Sequence, residues 1–140
     1  MRTSLIFLTV DILIFKEIQP TNSILLIKRK NDPFKDFWAL PGGFVDENED
    51  LEVAAIRELN EETQINIKSL EQLKAFGKPH RDPRSHLVSI AYIGFVSTDT
   101  IAIANDDAKE AKWFSVNDLP NLAFDHDEII NFARSKYKIK

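Results

Sequence analysis

Cysteine is absent from all 140 residues, which excludes a disulfide framework, a thiolate nucleophile and a thiolate metal site. Long hydrophobic runs are missing too. The apolar stretch over residues 5–10 is too short to span a bilayer, and Asp11 interrupts it. No small-residue cleavage site follows it, so it does not read as a signal peptide. A strong charge of either sign is also lacking. The formal net charge of −4 argues against nonspecific nucleic-acid binding. Internal repeats, low-complexity segments and interdomain linkers are not found. What remains is 44% hydrophobic and 29% charged residues, the composition of a soluble globular chain long enough to bury a core. One domain over residues 1–140 is expected, cytoplasmic by default, with no membrane and no nucleic-acid partner.

The charge that is present is unevenly spread. Residues 42–67 hold eight carboxylates between Asp46 and Glu62 and one base, Arg57, so this window sums to −7 and the rest of the chain to +3. Leu51, Val53, Ala54, Ala55, Ile56 and Leu59, with no Gly or Pro between Asp50 and Thr63, predict a helix. At about 100° per residue, Glu58 and Glu62 share the bearing of Leu51, Ala54 and Ala55, with Glu61 on the flank. Like charges four residues apart repel. A divalent cation over that face would explain them, since Mg²⁺ takes hard carboxylate oxygens. A solvated acidic surface helix is the alternative that the helix alone leaves open.

The spacing separates the two. Gly43, then Glu49 after five residues, then Arg57-Glu58-Leu59-x-Glu61-Glu62-x-Gln64-Ile65 after seven more, resembles the signature of the Nudix hydrolases. The departure is Gln64, where that signature has Gly. It falls at the helix end, where a left-handed residue is favoured, and not at a ligand position.

Taken in order, residues 5–15 predict a strand buried on both faces, with Asp11 an edge position or a group with a local partner. A turn is expected over 17–22 and a second strand over 23–30, whose basic end offers Arg29 as a phosphate contact. A loop over 31–36 and a short strand over 37–40 lead to a tight turn at Pro41-Gly42-Gly43. Its two successive glycines allow positive φ and close backbone approach to a ligand. Residues 65–76 read as an irregular strand and 86–97 as a long one. The loop between them, 77–86, offers Arg81 and Arg84 to a diphosphate, because a guanidinium fork binds phosphate bidentately. Residues 99–104 read as a connection or short strand. An acidic loop holding Asp106, Asp107 and Glu110 then leads into a strand through Trp113 and Phe114. A helix begins near Asp125, a plausible N-cap. Phe124 and His126 beside it can touch a nucleobase or ribose, with core the plainer reading of Phe124.

The resemblance implies an α/β fold, the Nudix-type α/β/α sandwich with a mixed β-sheet. It implies that Glu58, Glu61 and Glu62, with a carbonyl of Gly42, hold Mg²⁺ or Mn²⁺, and that Arg57 orients Glu49 or Glu58. A further carboxylate outside the signature, Asp107 or Glu110, would be a ligand or base. Residues 77–92, 105–114 and 122–130 look like the ADP-ribose pyrophosphatase branch. The expected reaction is hydrolysis of a nucleoside diphosphate linked to another moiety, with ADP-ribose giving AMP and ribose 5-phosphate. The rivals are another nucleotide substrate (a nucleotide sugar or a triphosphate) and a non-catalytic domain that senses NAD metabolites. The partner is then a small-molecule nucleotide, with homodimer formation left open.

Overall fold

β1 (Ile6–Ile18) is the strand on which the others are laid. The structure, a computed structural model, describes residues 2–18 and 20–140. β1 runs parallel to β6 (His86–Val96) in unbroken register from Ile6↔His86 to Lys16↔Val96. Its other edge is divided: β4 (Gly42–Phe44) pairs with residues 9–11 and β2 (Thr21–Arg29) with residues 15–18, both antiparallel. β3 (Trp38–Ala39) and β7 (Ala108–Ser115) pair with β2, and β5 (Glu71–Phe76) closes the far side on β6. The result is one mixed seven-stranded sheet.

Two helices cover it. Side chains alternate along a strand, so Val10, Ile12 and Ile14 pack with Ala54, Ala55 and Leu59 of α1 (Leu51–Thr63). Leu13 and Phe15 pack on the opposite face with Ile129, Ile130 and Ala133 of α2 (His126–Tyr137). This is the expected α/β/α sandwich. Among the described residues, no helix is long and apolar enough to cross a membrane.

α1 starts where Asp50 accepts a hydrogen bond from the Glu52 N–H and ends on Gln64 in the left-handed region, φ 61°. Gln64 thus takes the backbone conformation of the glycine it replaces. α2 has Asp127 and Glu128 in its first turn and Arg134 and Lys136 in its last, each complementing the helix dipole.

Several expectations need correction. The first residues of β1 are not buried on both faces: Ile6, Phe7 and Leu8 are exposed, because the two helices cover the strand only from Val10 onward. The turn expected over 17–22 shrinks, since β1 reaches Ile18 and β2 begins at Thr21; its residue Gln19 lies outside the described residues. The strand expected over 65–76 is only Glu71–Phe76, because Ile65 and Ile67 turn inward onto the α1 core instead. Residues 99–104 are the connection, the first of the two readings given for them. There the Ile103 and Asn105 N–H groups donate to the Thr63 and Glu62 carbonyls, which the end of α1 leaves without intrahelical partners.

Candidate active site

The signature becomes a site because β4 crosses close to α1. Gly42 and Gly43 are not in a positive-φ turn; both lie in β4 at negative φ. What requires glycine is proximity. A Cβ on Gly42 would strike the Val10 carbonyl, and one on Gly43 would lie 2.6 Å from the Glu58 carboxylate. The Gly42 N–H can therefore reach Glu62, donating to Oε1 at 2.7 Å.

Arg57 organises the acids on the outer side of this contact. Its Nε and Nη2 grip Glu49 bidentately at 2.7 and 2.9 Å, and Nη1 reaches Glu58 at 2.9 Å and Glu61 at 3.2 Å. Nη2 also donates to the Phe44 carbonyl at 3.1 Å. Arg57 engages both Glu49 and Glu58, the two partners left open by the resemblance. Its hydrogen bonds and the Asp46 N–H hold the Glu49 carboxyl down at about 2. Glu58 moves the other way, raised by burial against the opposing pull of Arg57. Glu62 is pushed up to about 8 by burial, with Glu58, Asp107 and Asp11 adding repulsion that the Gly42 N–H only partly offsets.

This donor set fits a hard divalent cation. It is all oxygen, its negative charge exceeds what Arg57 neutralises, and Gly43 leaves room beside Glu58 that a side chain would fill. Among the described residues, no three acidic or imidazole groups converge closely enough to hold an ion as they stand. Glu58 and Glu61 are turned toward Arg57, and Glu62 toward the Gly42 amide.

A cleft of about 350 Å³ is lined by these acids together with cationic and aromatic groups. The Arg29 guanidinium lies 4.9 Å from the centre of the Phe124 ring, and that of Arg84 lies 5.4 Å from it. Arg84 also lies 5.6 Å from the Phe44 ring and is held by Asp82 at 2.7 and 3.1 Å. Burial, and then the nearby Arg84, lower the Arg29 pKa. Two guanidiniums on one wall are relieved by an anion between them.

Of the residues singled out from sequence, Gly42, Glu58, Glu61, Glu62, Arg29, Arg81, Arg84, Asp107, Phe124 and His126 all border this cleft. Arg57 stands behind Glu58 and Glu61. Glu110 does not belong: it lies on β7 opposite Lys28, 3.5 Å from its Nζ, because the acidic loop ends at Asp107 and the strand starts at Ala108. Arg81 is not free for phosphate. Its side chain is only 4% exposed and is bound bidentately to Asp125 at 2.7 and 2.9 Å. Asp125 consequently precedes α2 without capping it through its side chain. His126 is buried as well. Its Nδ1 accepts from the Leu40 N–H at 3.0 Å, which assigns the ring proton to Nε2, and burial lowers its pKa. Phe124 is not core; it is half-buried, with φ 53°, and its ring meets Phe34 edge-on at 4.8 Å.

The sequence reading missed Asp11 and Asp82. Asp11 is buried at the cleft floor, taking a 2.5 Å hydrogen bond from the Ser89 hydroxyl. A lone acid inside an apolar run was the available signal. Asp82 lies in a loop between Arg81 and Arg84 and carries no local pattern of its own.

Residues 7–132 match the NUDIX domain. An ADP-ribose pyrophosphatase of Methanocaldococcus jannaschii is 51% identical over 113 residues, covering 81% of this chain and 66% of that protein. The ADPR responsive transcriptional repressor NtrR of Acinetobacter baylyi is 36% identical over 139 residues, covering 95% of this chain and 56% of that protein. Both relatives are thus longer than the part this chain spans. The solved NUDIX domain of Shewanella oneidensis NrtR, complexed with ADP ribose, superposes with a TM-score of 0.87 at 33% identity, covering 96% of this chain and 90% of that one.

Proposed function

The chain belongs to the Nudix family, and on that premise we propose that it hydrolyses the diphosphate of ADP-ribose to AMP and ribose 5-phosphate with Mg²⁺ or Mn²⁺. One observation carries the reading. A single cleft is lined both by the signature acids and by Arg29, Arg84 and Phe124, so a diphosphate and an aromatic base can be held together. The similarity to an ADP-ribose pyrophosphatase and to an ADP-ribose complex supports the choice of substrate.

Glu58, Glu61 and Glu62, with the Gly42 carbonyl, are the groups that would hold the metal. When bound, such an ion neutralises phosphate charge, orients the scissile bond and lowers the pKa of water. The chain's own residues do the rest. Arg57 keeps Glu58 and Glu61 in place through one guanidinium, itself anchored on Glu49. Arg29 and Arg84 bind the non-bridging phosphate oxygens, and the Phe124 ring, against which both guanidiniums lie, borders the base. Asp107 borders the cleft from outside α1, and its carboxylate accepts the proton of the attacking water as a phosphorus–oxygen bond of the diphosphate breaks.

A second reading has a specific support, the similarity to a transcriptional repressor that responds to the same ligand. A product-resolved screen with Mg²⁺ over ADP-ribose, nucleotide sugars, dinucleoside polyphosphates and triphosphates separates the possibilities. ADP-ribose is expected to turn over with kcat/KM of about 10⁴ M⁻¹s⁻¹ or more. Tight binding of ADP-ribose without turnover would establish a sensor. Release of pyrophosphate from a deoxynucleoside triphosphate, with ADP-ribose left intact, would move the substrate elsewhere.

A further inference from the structure

Asp11 is a buried carboxylate to which the reaction above gives no task. It points to the α2 side of the sheet, the face on which β1 continues inward as Leu13 and Phe15. There the face turns from apolar to polar, with Thr9, Asp11 and Ser89 all buried. The two oxygens of Asp11 have different surroundings. Oδ2 accepts from the Ser89 hydroxyl at 2.5 Å. Among the described residues, the polar contact of Oδ1 is the His126 Nε2 at 3.5 Å, too long for a good hydrogen bond.

Service as the counter-ion of Arg81 does not account for it. The Arg81 guanidinium already has both oxygens of Asp125, and it approaches Asp11 no closer than 3.9 Å. Two carboxylates therefore share one guanidinium, and burying the second costs free energy unless it finds another donor. Asp11 lines the cleft. Gly42 is paired with Asp11 across β1 and β4, and a Cβ on Gly42 would stand 2.7 Å from Oδ1 and close that approach. An anionic floor repels phosphate, so it suits an uncharged, donor-bearing part of the ligand.

We propose that Asp11 is a specificity-determining residue, whose Oδ1 accepts a hydrogen bond from an N–H or O–H of the bound nucleotide outside its diphosphate. This deepens the substrate reading above and rests on it. The donor is either the exocyclic amine of the base or a sugar hydroxyl, both uncharged. A site built around such a bond rejects the analogue that lacks the donor, because the buried acceptor is then left unpaired.

The test is a cycle between protein and ligand, read by calorimetric binding to protein kept free of metal with EDTA and, separately, by kcat/KM ratios with Mg²⁺. The ligands are ADP-ribose, its inosine counterpart without the amine, its 2′-deoxy counterpart, and ADP without the terminal ribose. One of these changes is expected to weaken binding to the wild type by about 10- to 100-fold, the worth of a hydrogen bond to a charged acceptor. In Asp11→Ala the same change should matter less than about threefold, and the ligand that behaves this way identifies the donor. If Asp11→Ala does not fold, Asp11→Asn, which keeps the shape and the Ser89 contact, should show clearly reduced discrimination. Wild-type protein that binds ADP-ribose, with selectivity unchanged in the variants that fold, overturns this inference alone. Wild-type protein that binds none of the four overturns the substrate reading and this inference with it.

Discussion

Arg57 gathers Glu49, Glu58 and Glu61 on one guanidinium, so these signature acids are held by a residue that need not touch substrate. The Glu49 carboxyl, held down at about 2, gives this arrangement a pH signature. A carboxyl depressed below its unfolded value of about 4.3 stabilises the fold above that pH and loses the contribution as pH falls through the folded value. Wild type should therefore exceed Glu49→Gln in stability near neutrality, and the gap should close between about pH 4.5 and 2. Urea melts at pH 7, 4 and 2 read this directly; a gap that persists undiminished at pH 2 would show that the charge of Glu49 is not its source. The two loop arginines also part company at this scale. Arg84, 41% exposed, is expected to act on ligand, so Arg84→Ala should raise KM, with some loss of stability because it unpairs the buried Asp82 carboxylate. Arg81→Ala strips a buried partner from Asp125 and should cost about 3 kcal/mol of stability. A melting temperature unchanged in Arg81→Ala would contradict its placement.

At the scale of elements, α1 carries most of the information. Its apolar spacing, its start after Asp50 and its stop before Gln64 were readable in the residues, because a helix obeys local rules of propensity and capping. The stop includes a test. Gln64 is exposed and left-handed, a conformation in which a side chain is strained and glycine is not. Gln64→Gly should stabilise the protein by about 0.5–1 kcal/mol with kcat unaltered. Loss of stability would mean that the glutamine side chain makes a compensating contact. β4 was less legible. Three residues carry little pattern, and Pro41-Gly42-Gly43 fits a turn as well as a strand. The decisive fact is that the chain passes within contact of Val10 and Glu58, which no local rule contains.

Across the whole molecule, the acids of α1 meet basic and aromatic groups from β2, the 77–86 loop and the segment before α2. Charge of one sign packed this closely destabilises the protein until a cation binds, so binding and stability are linked. Mg²⁺ at about 100 times its dissociation constant should add about 2.7 kcal/mol to the stability. Chelation should reverse the rise. Glu62→Gln should be no less stable than wild type without metal, since it removes a carboxylate that burial disfavours. It should also lose most of the Mg²⁺-induced rise in melting temperature and, with metal present, turn over at least about 10³-fold more slowly. A variant that keeps the full thermal response to Mg²⁺ would remove Glu62 from the metal site.

What the residues determined by themselves is what repeats or spaces locally: the two helices, the strands β1 and β6, the acid spacing of α1, and hence the family and its sandwich. Tertiary structure decided which of the candidate groups face one another. Arg81 and Arg84 are three residues apart in one loop and both line the cleft, yet Asp125, a distant residue at the start of α2, holds Arg81 buried while Arg84 stays exposed. Glu110 and Asp107 are likewise three apart, and the start of β7 between them sends one to Lys28 and leaves the other at the cleft. Asp11 looked like an irregularity in an apolar strand. Its place at the cleft floor depends on the pairing of β1 with β4 and β6 and on where α2 begins, none of which is local to residue 11. Local spacing follows from backbone periodicity, whereas facing depends on register and crossing, which arise only when distant segments pack.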